Sequence, residues 1–147
     1  MLTRSRDDGS VMLLIIGCTA IAATLIVVGV QVSKVFLARR ALSATADSAA
    51  LAATEGLDRG AIYGGHGVPC GRPLPLSRSD AARRAGVAVD RARPSLRHTF
   101  VAIGPPVTSI RGGTVTVDVT GRVRLPFGTT VRLRESASAR SPVIGAC

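Results

Sequence analysis

The spacing of hydrophobic positions changes twice along this chain. From Gly9 to Ser33 no residue is charged, and Val11 to Val32 consists mostly of Val, Ile, Leu and Ala. About 20 apolar residues span a bilayer core as a helix. A soluble helix of this purity would need a larger domain around it than a chain of 147 residues supplies. The pattern therefore predicts a transmembrane helix over residues 9–33.

A second helical pattern follows without a break over residues 34–56. This segment has no proline, and its first glycine is Gly56, where we expect the helix to end. Apolar or small residues recur at alternating steps of four and three, which is typical of a packing seam. We call these residues the heptad stripe: Leu37, Ala41, Ala44, Ser48 and Leu51. A projecting helix with such a stripe needs either the chain's own domain or a neighbouring subunit to pack against, and we predict the helices of partner subunits.

Residues 57–77 are crowded with Gly and Pro and are predicted to form a loop. Residues 77–94 follow as a short helix, capped by Ser77 or Ser79 and closed by Pro94. The modest apolar face of this helix consists of Ala82, Ala85 and Val89.

In the last third of the chain the hydrophobic period becomes two. One side of the first long run carries Val115, Val117, Val119, Val123 and Leu125. One side of the second carries Val131, Leu133, Ala137 and Ala139, with Glu135 as the exception. This alternation predicts half-buried antiparallel strands, which residues 99–103 and 107–110 are expected to join.

The predicted fold class is therefore α+β. A long N-terminal transmembrane helix extends out of the membrane and is followed by a small antiparallel β-sheet with one short helix. The predicted boundaries are a tail at residues 1–8, the transmembrane helix at 9–33, its extramembrane continuation at 34–56 and a small α+β domain at 57–147.

The formal net charge is +10, and Lys34 is the single lysine among 19 basic residues. Arginine dominance beside abundant Ala and Gly is typical of GC-rich genomes, so part of the charge reflects codon usage. The charge still predicts attraction to anionic lipid, polymer or DNA. If the two long strands pair, five arginines share one face: Arg122, Arg124, Arg132, Arg134 and Arg140. The alternative is that this face is only a solvated polar surface.

Sequence-specific nucleic-acid binding is not favoured, because base-stacking aromatic residues are not interleaved with the arginines. The aromatic residues are Phe36, Tyr63, Phe100 and Phe127. A membrane-tethered basic domain that binds DNA or an anionic envelope polymer non-specifically remains as an alternative function.

The sequence offers little for catalysis or metal binding. The nine acids form no convincing acid–base pair, because Gly56 interrupts the helix between Glu55 and Asp58. There is no nucleophile elbow, phosphate loop or His-Glu-x-x-His motif, and His66 and His98 are isolated. We predict a protein that is not an enzyme and that has no cofactor or metal.

Three cysteines give different indications. Cys18 lies within the predicted membrane helix, whereas Cys70 and Cys147 lie outside it. Two cysteines outside the membrane indicate a disulfide in an exported domain. The alternative is two unpaired thiols.

The stretch RDDGSVMLLIIGC, residues 6–18, also has the small-before-cysteine pattern of a lipoprotein cleavage site at Cys18. Cleavage there would leave residues 19–32 attached, and these are still strongly apolar. Asp7 and Asp8 are also inconsistent with the basic start of such a signal. A cleaved secretory signal has a shorter apolar region of about 7–15 residues. We therefore predict an uncleaved signal anchor.

Residues 7–54 resemble the N-terminal segment of TadE/TadG-type proteins of the tight-adherence (Flp) pilus and secretion systems. The most specific part is ARRALSATADSAALAAT, Ala38 to Thr54, with a basic pair, a small-residue helix, an acid at Asp47 and an alanine block. Gly9-Ser10 matches the family's usual start to the apolar run. The resemblance implies a pilin-like fold and a minor pilin-like or pilus-assembly role without catalysis, with partner subunits bound through the N-terminal helix.

The chain departs from the prepilin pattern that this resemblance brings with it. Prepilins of this class are cut after a glycine and carry, five residues beyond the cut, a glutamate that neutralises a neighbouring subunit's new amino terminus. Five residues after Gly9 stands Leu14, and a buried charge left without its partner is costly. An unprocessed TadG-like anchor is therefore the closer comparison.

The membrane orientation has two opposed indications. Arg4 and Arg6 precede the apolar run, whereas Lys34, Arg39 and Arg40 follow it, and this count slightly favours a cytoplasmic C-terminal side. The two cysteines outside the membrane and the resemblance favour the opposite orientation. We predict a single-pass protein of the bacterial cell membrane with its N-terminus in the cytoplasm and its C-terminal domain outside.

Overall fold

The structure is a computed structural model that describes residues 7–64 and 75–141. The chain divides into two compact units, and the division falls after Phe36. The first helix, α1 (Asp7–Thr54), contributes to both units.

In the first unit the described residues belong to α1, and every one from Ser10 to Val30 is exposed. The Thr19 and Thr24 hydroxyls donate to the carbonyl oxygens of Ile15 and Ala20, four residues earlier, at 2.7 and 2.8 Å. Polar hydrogens satisfied within the helix suit an apolar surrounding, which offers them no water. By length and composition the helix Ser10–Thr54 is apolar enough to cross a membrane, with a mean hydropathy of 2.8 over its most apolar stretch.

The second unit combines the end of α1 with two further helices and one antiparallel sheet. The helices are α2 (Arg59–Tyr63) and α3 (Arg78–Leu96). The strands are β1 (Ala102–Ile103), β2 (Val107–Arg111), β3 (Thr114–Arg124) and β4 (Thr130–Arg140), with a 3₁₀ turn at Pro126–Gly128. The predicted α+β class is confirmed.

The central strand of this sheet is β3. On one edge it pairs with β4 along its whole length, from Thr114↔Arg140 to Arg124↔Thr130. On its other edge β2 and β1 pair with successive parts of it. Gly112 and Gly113 form the turn between β2 and β3 with φ of 54° and 82°, left-handed values that glycine adopts without steric cost.

The core lies between the inner face of the sheet and the two longer helices. Val115, Val117 and Val119 of β3 are completely buried. The helical members of the same hydrophobic cluster include Ala38, Leu42, Ala46, Ala49 and Ala53 of α1 and Ala81, Ala85, Val89 and Leu96 of α3. The predicted inward side of β3 is therefore correct at its four valines.

Four details differ from the sequence prediction. The predicted loop contains α2, whose N-terminus is capped by Asp58. In α3, Ala81 is buried in place of Ala82. The predicted strand at residues 99–103 is reduced to β1, because residues 97–99 form a turn.

The fourth difference is that α3 does not end at Pro94. The missing N–H of a proline removes only one helical bond when it lies in the last turn. Arg97 still donates to the Arg93 carbonyl oxygen at 3.1 Å. The helix also gains the burial of Leu96, which is only 6% exposed.

Candidate functional site

The part of α1 in the second unit has two different faces. Its buried face, here called the buried stripe, consists of Ala38, Leu42, Ala46, Ala49 and Ala53, all with no exposed surface. These residues belong to the cluster that contains the inner valines of β3. The chain's own domain therefore packs on this face of the helix.

The heptad stripe lies on the opposite side of the helix. A helix turns about 100° per residue, which places Ala44 about 200° around the axis from Leu42. Leu37 and Leu51 are 62% and 64% exposed. Ala44 and Ser48 are also exposed, and Ala41 is half-buried. The described residues of the domain leave most of the heptad stripe uncovered.

The sequence pattern does not show which face of α1 the domain covers, because both faces repeat at helical spacing. The buried stripe repeats at steps of four and three, as the heptad stripe does, since alanines occur all round this helix. Leu42, the one large residue of the buried stripe, lies against β3 at Gly121: its Cδ1 is 3.6 Å from the position that a Cβ would take there.

Glu135, the exception in the alternating pattern of β4, has a partner on α1. Arg39 Nε donates to Glu135 Oε1 at 2.6 Å. The Glu135 side chain is 20% exposed and that of Arg39 is 67% exposed. The carboxylate on the apolar side of the strand is therefore compensated by a guanidinium that reaches it from the helix.

Asp47, the acid that the family resemblance singles out, is exposed on α1. Within the described residues its side chain has neither an ion pair nor a hydrogen bond. It is thus accessible to a partner and contributes nothing visible to the packing of its own domain.

The strand pairing brings the five candidate arginines to one face of the sheet. Arg122 and Arg132 are directly opposite each other in the β3–β4 register. All five arginines are exposed: Arg122, Arg124, Arg132, Arg134 and Arg140. Arg134 is engaged by Asp118, at 3.4 Å between Nη2 and Oδ2.

Acidic residues meet at a cavity of about 510 Å³ beside α2 and the start of α3, but each has a structural role. Glu55 accepts from Arg84 Nη1 at 3.0 Å. Asp58 accepts from the backbone N–H of Ala61 at 3.1 Å. Asp80 accepts from Arg83 Nη2 at 2.7 Å, and this hydrogen bond lowers the pKa of the Asp80 carboxyl.

The remaining candidates are two histidines and three cysteines, of which the structure describes His98 and Cys18. In residues 7–64 and 75–141 no group of three or more His, Cys, Asp and Glu side chains is arranged to hold a metal ion. His98 is exposed after α3. Cys18 is an exposed free thiol on α1. His66 and the predicted disulfide partners Cys70 and Cys147 lie outside the described residues.

The match with a known family begins at Gly9, within α1, and ends at Tyr63, the last residue of α2. Residues 9–63 match the Tad family, described as putative Flp pilus-assembly TadE/G-like. The resemblance predicted for the N-terminal segment is therefore confirmed. We refer to residues 9–63 as the Tad segment.

The Tad segment is little more than a third of the chain. It includes both faces of α1 but neither α3 nor the sheet. No curated protein and no solved structure matches the chain. The family match therefore concerns mainly α1, and the domain that follows is interpreted from its own geometry.

Proposed function

We propose that this protein is a minor pilin-like, non-catalytic component of a Tad/Flp-type pilus or secretion apparatus. Its α1 anchors it in the bacterial cell membrane through residues 9–33. The match of residues 9–63 to the pilus-assembly family is the observation that carries the proposal.

The anchoring part of the proposal is supported by the surface of α1. Large apolar side chains are exposed along it, among them Leu13, Leu25 and Ile26 at 66–73%. Water disfavours such a surface at about 25 cal/mol per Å² of apolar area, whereas lipid acyl chains cover it without cost. The hydroxyls of Thr19, Thr24 and Ser33 bond to carbonyl oxygens of their own helix, as a bilayer requires.

The assembly part is supported by the two faces of α1. The buried stripe already packs on the chain's own sheet, and none of the described residues covers the heptad stripe, which a second helix can therefore contact. Leucines at its two ends and small residues between them allow close helix packing of the coiled-coil kind. The partners are the N-terminal helices of other pilin-like or secretion-apparatus subunits.

The test is a pair of substitutions on the heptad stripe, Ala44→Glu with Ser48→Glu. Both side chains are exposed, so the domain should keep its fold while a helix–helix contact would have to bury two unpaired charges. We expect co-purification of pilin-like subunits from detergent-solubilised membranes to be lost.

The matched control is Ala82→Glu, an exposed alanine on α3. This variant should retain the same subunits in the same purification. Undiminished recovery of those subunits with the folded Ala44→Glu/Ser48→Glu protein would refute the assigned contact face.

A further inference from the structure

The face of the sheet turned away from α1 and α3 is strongly basic and uncovered within the described chain. We call it the outer sheet face. Its charged residues are six exposed arginines and one aspartate: Arg111, Arg122, Arg124, Arg132, Arg134, Arg140 and Asp118. The aspartate pairs with Arg134. The remaining arginines leave an excess of positive charge on one flat surface.

The most unusual juxtaposition on this face is that of Arg122 and Arg132. They are direct cross-strand partners, and like charges in this position destabilise a sheet. Within the described residues neither guanidinium forms an ion pair. An anion bound between them would remove the repulsion, and two guanidinium forks suit a carboxylate or phosphate group.

A groove beside Arg122 and Arg132 can accommodate such an anion. It has a volume of about 250 Å³, and Arg122, Arg132, Thr120 and Gly104 are among its lining residues. A Cβ at Gly104 would come within 2.5 Å of Thr120 Oγ1. The glycine therefore keeps open the space next to this threonine.

The rest of the outer sheet face has the length and chemistry for a linear polymer. Arg111 and Arg140 flank Thr114 in one row at the far end. At about 3.4 Å per residue this row lies about 27 Å along β3 from Arg122. Between the two ends, Ser109, Thr116 and Ser138 form a row of hydroxyls.

The combination of arginines and hydroxyls favours one class of polymer. Surfaces that bind single-stranded nucleic acid without sequence preference combine positive charge with aromatic stacking, and the described positions of the outer sheet face carry no aromatic residue. We propose that the outer sheet face binds a linear polysaccharide that bears carboxylates, with Arg122 and Arg132 as its central anion contacts. Sugar hydroxyls meet the row formed by Ser109, Thr116 and Ser138.

The inference rests on the proposed function only in placing this face outside the cytoplasm, where such polymers occur. Binding by the isolated protein does not depend on that placement. Failure of the co-purification test on the heptad stripe and failure of the polysaccharide-binding test can therefore be distinguished from each other.

The test uses the full chain in a neutral detergent and measures its affinity for polygalacturonate at constant salt. The Arg122→Gln/Arg132→Gln variant should bind about tenfold more weakly, since two exposed ion pairs contribute together about 1–2 kcal/mol. The control, Arg78→Gln/Arg91→Gln, removes the same charge from exposed positions of α3. It should bind within about twofold of the unchanged chain, as expected for a long-range effect that salt screens.

A second variant tests whether the polymer lies along the length of the outer sheet face. It also keeps the proposal testable if the first variant fails to fold. Arg111→Gln/Arg140→Gln should weaken binding of long polygalacturonate but leave the binding of a short galacturonate oligomer unchanged. Equal affinities of the two outer-sheet-face variants and the α3 control would overturn the proposal. So would tighter binding of single-stranded or duplex DNA than of polygalacturonate, or equal binding of uncharged dextran.

Discussion

Gly121 is the one inner-face position of β3 without a side chain, and the ring of Phe100 occupies the space that it leaves. A Cβ at this position would lie 2.6 and 2.7 Å from Phe100 Cδ1 and Cε1. Phe100 is only 5% exposed, so the ring has little room to move. The glycine thus decides where the aromatic residue of the core is placed.

We expect Gly121→Ala to lower the free energy of unfolding by about 1–3 kcal/mol, the usual cost of overpacking a core. Denaturant unfolding of the detergent-solubilised chain, followed by circular dichroism, measures this change. Gly86→Ala provides the control, because nothing lies within 4 Å of its Cβ position in α3. Alanine there should be neutral or stabilise the helix by up to about 1 kcal/mol, and equal effects of the two substitutions would contradict the packing argument.

At the scale of the elements, the start of α3 is held to the end of α1. Gly56 follows α1, and a Cβ there would lie 2.7 Å from the backbone N of Ala81. Gly56 is not among the described glycines with positive φ, so it is needed for close approach and not for a left-handed cap. The Ser77 hydroxyl accepts from the backbone N–H of Asp80 and caps α3.

The first turn of α3 should make the stability depend on pH at the acidic end. The hydrogen bond from Arg83, together with its charge, lowers the pKa of Asp80 from the ordinary value of 3.8. A carboxyl whose pKa is lower in the folded chain stabilises it above that ordinary value, and this contribution is lost as pH falls through the folded pKa. We expect the stability advantage of the unchanged chain over Asp80→Asn to shrink steadily below pH 3.8.

Unfolding curves of both chains at a series of acidic pH values measure this difference. Because Asp80 lies at the surface, about 1 M salt should reduce it through screening. An advantage that grows as the pH falls would contradict the assignment.

At the scale of the whole molecule, the proposed orientation places the domain outside the cytoplasm. A reporter fused after Cys147 should be active outside the cytoplasm, and a cytoplasmic signal would reverse the predicted orientation.

In intact cells, thiol labelling of Cys70 and Cys147 should require prior reduction. Labelling of both without a reductant would contradict the predicted disulfide and remove one of the two indications of export.

Much of the fold follows from local patterns. The apolar run of α1 and the period-two runs of β3 and β4 are visible in the sequence, because each reflects a face that one element must bury. The two glycines between β2 and β3 likewise indicate their turn. The basic side of the sheet could be inferred as soon as the two strands were assumed to pair.

Only the tertiary structure decided which partner each face meets. Two stripes with helical spacing run along α1, so the sequence could not tell that Leu42 faces the sheet while Leu51 does not. Glu135 looked misplaced until Arg39, 96 residues earlier, was found beside it. Gly121 carried no signal of the Phe100 ring that fills its place. Periodicity is a property of one segment, whereas these contacts join segments far apart in the chain, and the fold alone brings them together.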